Sequence, residues 1–212
     1  MSLRVLLVDD HAVVRNGLRT VVTATGRMTV QAEASTAREG IRKSLEQPVD
    51  VVVLDLSLPD MSGIEATKLI RAERPRLPIV IFSMHSDREY CVRALRAGAL
   101  GYVTKQGAPE EIVKAIETVA VGRRYVSPSL AELLVGVAVG GDDGRPPHEA
   151  LSDREFEVLR LIAAGETPTQ IAERLCLSVK TVSTYRARLL EKLNLENNSQ
   201  LIRYAVEHGL AT

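Results

Sequence analysis

Cysteine is scarce in this chain: among 212 residues the two thiols, Cys91 and Cys176, lie far apart and outside any CxxC or Cys/His pattern. That excludes a disulfide framework and a structural zinc site, and leaves packing as their expected role. An excess of charge is missing too, since 27 Lys plus Arg balance 27 Asp plus Glu. Bulk composition therefore announces no nucleic-acid partner, and any basic surface has to be local. No apolar run approaches the length of a membrane span, and no internal repeat, heptad or low-complexity tract is present. The N-terminus, Met1 to Asp9, turns acidic too quickly for a secretory signal and reads directly into a strand. The expectation is a cytoplasmic protein with no membrane partner.

What is there is ordinary globular material, 45% apolar and 25% charged, long enough for two small domains that each bury a core. Residues 3 to about 121 alternate short Val/Ile/Leu-rich runs with amphipathic ones. Strands are expected near 3–9, 29–34, 50–55, 78–83 and 100–104, and helices near 12–24, 36–46, 64–73, 88–97 and 110–120. Continuous apolar runs of this length suit strands buried on both faces. Five βα units imply a parallel five-stranded sheet with right-handed crossovers. Pro48, Pro59, Pro78, Gly98 and Pro109 all fall between the elements, as punctuation should.

The alternation stops after Arg123. A short helix is expected to open at Ser127-Pro128, with proline at the first helical position, and Gly140 to Pro147 reads as a flexible or semi-extended linker. The expected domains are therefore 1–122, a connecting segment 123–147, and 148–212. The last carries four helical patterns near 152–164, 168–175, 179–193 and 198–208, joined by short turns. Ser152 followed by Glu155 is a capping-box start, and Gly165 and Gly209 are placed to close helices.

The chemistry concentrates at strand ends. Asp9 and Asp10 end the first strand, Asp55 ends the third, and Lys105 follows the fifth. Parallel strands present their carboxyl ends along one edge, where ligands bind in such folds. A like-charged pair at about 4 Å costs roughly 4 kcal/mol at an effective dielectric near 20, so three carboxylates need cations. Lys105 supplies one charge, and a hard, oxygen-ligated divalent ion such as Mg²⁺ would supply the rest. One carboxylate could then attack phosphorus to give an aspartyl phosphate, and Asp55, alone at its strand tip, is the better nucleophile. Taken singly, Asp10 could merely cap a helix and Asp55 open a turn; their convergence with Lys105 argues for a site.

These residues carry a resemblance. Leu3 to His11 resembles the opening acidic motif, and Val53 to Gly63 the phosphoacceptor loop, of the receiver domain in two-component response regulators of the NarL/FixJ family. Leu151 to Leu159, Ile171 to Leu175 and Ser178 to Arg188 resemble the LuxR-type helix-turn-helix domain of the same family. The resemblance implies a flavodoxin-like (βα)5 receiver followed by an all-α four-helix DNA-binding domain. It implies that Asp55 accepts a phosphoryl group from a sensor histidine kinase, with Asp9, Asp10, Asp55 and the Ser57 backbone carbonyl holding Mg²⁺. Lys105 would contact the phosphoryl oxygens, Ser83 would be the switch hydroxyl and Tyr102 the switch aromatic, with His11 structural. Gln106 stands where many receivers have proline after this lysine, which leaves the isomer of the Lys105–Gln106 bond open.

The implied recognition helix bears out the local-charge argument. Residues 151–212 hold eight Lys plus Arg and eight Asp plus Glu, yet Ser178 to Leu193 carries Lys180, Arg186, Arg188 and Lys192 against Glu191 alone. Val182, Leu189, Leu190 and Leu193 form its apolar side. Lys180, Thr181, Ser183 and Thr184 are then placed for DNA, with Arg186, Arg188 and Lys192 on phosphates. Leu201, Ile202, Ala205 and Val206 of the last helix are expected to pair DNA-binding domains. The resulting expectation is a phosphorylation-controlled regulator, not an enzyme, that binds promoter DNA as a homodimer, with RNA polymerase as a further candidate partner. Two alternatives are a regulator whose receiver only dimerises without phosphate, and a phosphotransfer enzyme using Asp55 in turnover.

Overall fold

The computed structural model describes residues 2–132 and 146–211. The chain divides into two compact units, Met1–Gly141 and Asp142–Thr212. In the first, β1 (Leu3–Val8), α1 (Ala12–Ala24), β2 (Met28–Ala34), α2 (Ala37–Glu46), β3 (Val51–Asp55), α3 (Gly63–Glu73), β4 (Ile79–Ser83), α4 (Arg88–Arg96), β5 (Gly101–Thr104) and α5 (Pro109–Ala120) follow in order. A further strand, β6 (Tyr125–Val126), is added, and helix α6 opens at residue 128 and is described to 132.

All strands run parallel in the order β2-β1-β3-β4-β5-β6. The sheet thus has six strands where the sequence pattern gave five. Two residues cannot display a period, so β6 left no signal in the sequence; its place is fixed by backbone hydrogen bonds from Tyr125 N–H to Leu100 O (2.9 Å) and Ser127 N–H to Tyr102 O (3.1 Å). The segment expected to begin the linker is therefore part of the sheet. Most of the expected Gly140 to Pro147 linker, and the later part of the helix expected from Ser127, lie outside the described residues.

The central strands are apolar because both their faces are covered. Val5, Leu7, Val51, Val53, Val80 and Val103 point to one face and pack with Leu18 and Val22 of α1 and Ile112, Ile116 and Val119 of α5. The alternate residues Leu6, Val52, Leu54 and Ile81 are equally buried and face α2, α3 and α4. Each such side chain contributes about 1.5–3 kcal/mol on burial, which fixes the strand register against slippage. That register carries Asp55 level with Phe82 and Ser83 level with Thr104.

The second unit opens with a 3-10 turn (Pro147–Ala150) and continues as α7 (Asp153–Ala163), α8 (Pro168–Arg174), α9 (Val179–Lys192) and α10 (Asn198–Glu207). Capping boxes start α7 (Ser152 with Glu155) and α8 (Thr167 with Gln170). Gly165 and Gly209 adopt positive φ of 85° and 65°, the left-handed stops that glycine permits. Phe156, Leu159, Ile171, Val182, Leu189, Leu201 and Ala205 are buried. On α10 the four apolar residues divide, Leu201 and Ala205 facing this core while Ile202 and Val206 are exposed; only the latter two are left for a partner. Among the described residues no helix is long and apolar enough to cross a membrane, and no peptide bond is cis, Lys105–Gln106 included.

Candidate phosphoacceptor site and nucleic-acid face

β1 and β3 are neighbours although α1, β2 and α2 separate them in sequence. Strand order reverses there, and that reversal opens the crevice in which doubly wound folds bind ligands. Asp9, Asp55 and Lys105 meet at this point. The Lys105 ammonium lies 2.6 Å from Asp9 Oδ2 and 2.7 Å from Asp55 Oδ2, with all three side chains less than a tenth exposed. Asp10, Asp9, Asp55 and His11 each offer a ligand atom within 4.8 Å of the others. Sequence reasoning left His11 aside as structural; its Nδ1 contacts Asp10 Oδ1 at 2.7 Å, and its backbone N–H donates to Asp9 Oδ1 at 2.8 Å.

Three carboxylates, Asp9 and Asp55 buried and Asp10 exposed, leave an excess of negative charge against one ammonium. Burial pushes the Asp55 carboxyl up to about 6, against the pull of Lys105 and with a further push from Asp9. Burial by itself lowers the Lys105 ammonium, but Asp55 and Asp9 outweigh it and the net direction is up. The donor set is all oxygen apart from His11, and its charge deficit is that of a hard divalent cation. Asp9, Asp10 and Asp55 therefore fit such an ion, which would lower the repulsion around Asp55.

The loop after β3 is tight. Ser57 and Ser62 form an isolated bridge, the Ser57 N–H reaches Asp55 Oδ1 at 3.4 Å, and the Gly63 N–H donates to Leu56 O at 2.7 Å. A Cβ on Gly63 would lie 2.2 Å from the Asp55 carbonyl oxygen, so only glycine fits there. Asp60, on the same loop, accepts the N–H groups of Ala37 and Arg38 at 2.8 and 2.9 Å and so ties the loop to the start of α2.

Ser83 and Tyr102 meet at the adjoining end of β4. The Ser83 hydroxyl accepts the His85 N–H at 3.1 Å, and the Tyr102 hydroxyl donates to the His85 carbonyl at 2.9 Å. Tyr102 is wholly buried, and that burial raises its phenol. The His85 imidazole lies 3.4 Å from the Ser57 hydroxyl and 4.4 Å, centroid to centroid, from the Tyr90 ring. Sequence reasoning passed over His85, because a histidine just past a strand end has no pattern of its own.

In the second unit, Lys180, Ser183, Thr184 and Arg188 are exposed along α9. With Ser178, Thr181 and Tyr185, all of these but Ser183 line a shallow cleft of about 290 Å³. Ser183 and Thr184 turn their hydroxyls onto the Val179 and Lys180 carbonyls, both at 3.0 Å, while the Ser178 and Thr181 hydroxyls meet at 2.8 Å. Arg186 Nε is bound to Asn198 Oδ1 of α10. Lys192 differs from expectation: its ammonium sits 2.7 Å from the buried Glu155 carboxylate on α7 and joins two helices of the unit. Lys192 lies one turn beyond Arg188, where its side chain stays 41% exposed while its ammonium pairs with Glu155.

Comparison with known proteins agrees with both halves. Residues 5–117 match the response regulator receiver domain, and residues 149–205 match the luxR family of bacterial regulatory proteins. The chain is 35% identical over 208 residues to the response regulator UvrY of Escherichia coli K12, covering 98% of this chain and 95% of that one. It is 38% identical over 211 residues to the transcriptional regulatory protein MctR of Rhizobium johnstonii, covering 100% and 96%. Among solved structures it resembles RcsB of Salmonella enterica serovar Typhimurium bound to a promoter in the presence of phosphomimetic BeF₃⁻, with a TM-score of 0.66 and 30% identity over 96% of this chain and 98% of that one. The chain belongs to the NarL/FixJ family of response regulators and is a phosphorylation-controlled, DNA-binding transcription regulator of a two-component system.

Proposed function

We propose that Asp55 is the residue phosphorylated, by a sensor histidine kinase, with Mg²⁺ held by Asp9, Asp10 and Asp55 together with the Ser57 carbonyl. The observation that carries this reading is the Lys105 ammonium bridging Asp9 and Asp55 at 2.6 and 2.7 Å, with Asp10 alongside. An Asp55 oxygen attacks phosphorus as the bond from phosphorus to the donor histidine nitrogen breaks, and that nitrogen takes the electron pair. Mg²⁺, when bound, neutralises the phosphoryl oxygens and the crowded carboxylates. Lys105 then exchanges a carboxylate partner for a phosphoryl oxygen, Ser83 donates its hydroxyl to another, and Tyr102 follows the β4 end to which it is bonded. The chain acts in the cytoplasm as a homodimer when phosphorylated.

Lys180, Ser183 and Thr184 face base edges in this reading, Thr181 is a further DNA-facing residue, and Arg186 and Arg188 face the phosphates, with α9 in the major groove. Lys192, occupied by Glu155, lies outside that set. Incubation with acetyl phosphate and Mg²⁺ should label the wild type and not Asp55→Asn, read by phosphate-affinity electrophoresis; full labelling of Asp55→Asn removes Asp55 from its role. On DNA, Arg188→Met should weaken binding and lower the slope of log K against log salt by about one. Lys192→Met should leave that slope unchanged.

A further inference from the structure

The strand that the sequence concealed bears on the site. Ser127, directly after β6, is 1% exposed. Its backbone opens α6, its carbonyl accepting the N–H groups of Leu130 and Ala131, both at 3.0 Å. Its hydroxyl is turned instead toward the receiver's site. It accepts the Thr104 N–H at 3.3 Å and donates to Glu111 Oε2 on α5 at 3.0 Å. Thr104 immediately precedes Lys105. Glu111 in turn fills the space beside Gly107, where an added Cβ would lie 2.8 Å from Glu111 Oε2. Asp9 and Asp55 thus hold the Lys105 ammonium, Ser127 holds the Thr104 amide just before it, and Glu111 packs beside Gly107 just after it. The Ser127 N–H adds a bond to the carbonyl of Tyr102.

We infer that Ser127 and Glu111 form a clip that passes the state of the Lys105 loop to the start of α6, and so to the segment leading to the DNA-binding unit. This rests on the reading of Asp55 as phosphoacceptor. When Lys105 shifts from a carboxylate to a phosphoryl oxygen, the Thr104 amide and the Glu111 carboxylate shift with the loop, and both their bonds end on one hydroxyl. Ser127 is the residue where β6 stops and α6 begins, so a change there alters the direction in which the chain leaves the sheet. The Ser127 hydroxyl is spent on Thr104 and Glu111, which ties the residue that opens α6 to β5 and α5.

The test is hydrogen exchange on the full chain with Mg²⁺, with and without BeF₃⁻. Wild type should show slowed exchange both at residues 105–111 and at residues 125–131. In Ser127→Ala the response at 105–111 should persist while that at 125–131 is lost. Ser127→Thr, which keeps the hydroxyl, should restore the response at 125–131, and Glu111→Ala should reproduce Ser127→Ala with no further loss in the double variant. A Ser127→Ala chain that still responds at 125–131 overturns the clip and leaves Asp55 untouched, as does a wild type that responds at 105–111 alone. If Ser127→Ala also loses the response at 105–111, the pair serves only the site's own fold and transmission is refuted. A wild type with no response in either region refutes the reading of Asp55 and the clip with it.

Discussion

Lys105 is the residue on which the acidic crevice depends, because its single ammonium pairs with two buried carboxylates at once. Removing one partner of a buried ion pair costs about 3–5 kcal/mol, since the remaining charge has neither water nor a counterion. Lys105→Met should therefore destabilise the first unit by about 3 kcal/mol in chelator, read from chemical denaturation. Mg²⁺ should return more stability to Lys105→Met than it adds to the wild type, because the ion replaces the missing charge as well as binding its own ligands. Equal gains in the two proteins would show that the carboxylates around Asp55 are not a shared electrostatic site. The same residue-scale logic distinguishes Gly63 from other loop glycines: its lack of a side chain is required by the Asp55 carbonyl 2.2 Å from where a Cβ would be, a close approach that a sequence reads only as a turn.

At the scale of elements, α7 and α9 are joined through Glu155, which caps its own helix through Ser152 and accepts Lys192. Burial raises the Glu155 carboxyl, but Lys192 and the Ser152 amide outweigh it, so the group sits below the ordinary glutamate value. A depressed carboxyl contributes stability that is fully present above its ordinary value near 4.5 and is lost as pH falls through the lowered one. Glu155→Gln should thus cost the second unit about 1 kcal/mol at pH 7 and flatten its loss of stability between pH 5 and 3, followed by thermal denaturation across that range. An unchanged acid profile would assign the slope to other carboxylates. Elements are also where legibility divided. Asp9, Asp55 and Lys105 could be placed together from sequence because apolar runs fix the strands, and parallel strands share an edge. β6 could not, because two residues have no period, nor could the partner of Lys192, because charge on a helix says nothing of which carboxylate a fold brings beside it. Ile202 and Val206 were separable from Leu201 and Ala205 only once the packing of α10 was known.

At the scale of the molecule, the acidic crevice and the basic face of α9 belong to different units, Met1–Gly141 and Asp142–Thr212, so control of one by the other is a coupling free energy between two sites. Moving a two-state equilibrium from 1:99 to 99:1 takes about 5.5 kcal/mol of differential binding, whereas a tenfold gain in DNA affinity takes about 1.4 kcal/mol. Coupling of either size has to be reciprocal. If Mg²⁺ and BeF₃⁻ tighten binding to duplexes selected by this protein from a random pool, those duplexes must tighten binding of BeF₃⁻ by the same factor. Titrating BeF₃⁻ against the full chain with and without saturating duplex, at one fixed protein concentration, measures the second factor, and a DNA titration with and without BeF₃⁻ measures the first. Holding the protein concentration constant matters because dimerisation also responds to mass action. A factor above one in both titrations measures the coupling between the units, and DNA and BeF₃⁻ affinities that each stay unchanged by the other at equal dimer content would remove the coupling on which phosphorylation-controlled DNA binding rests.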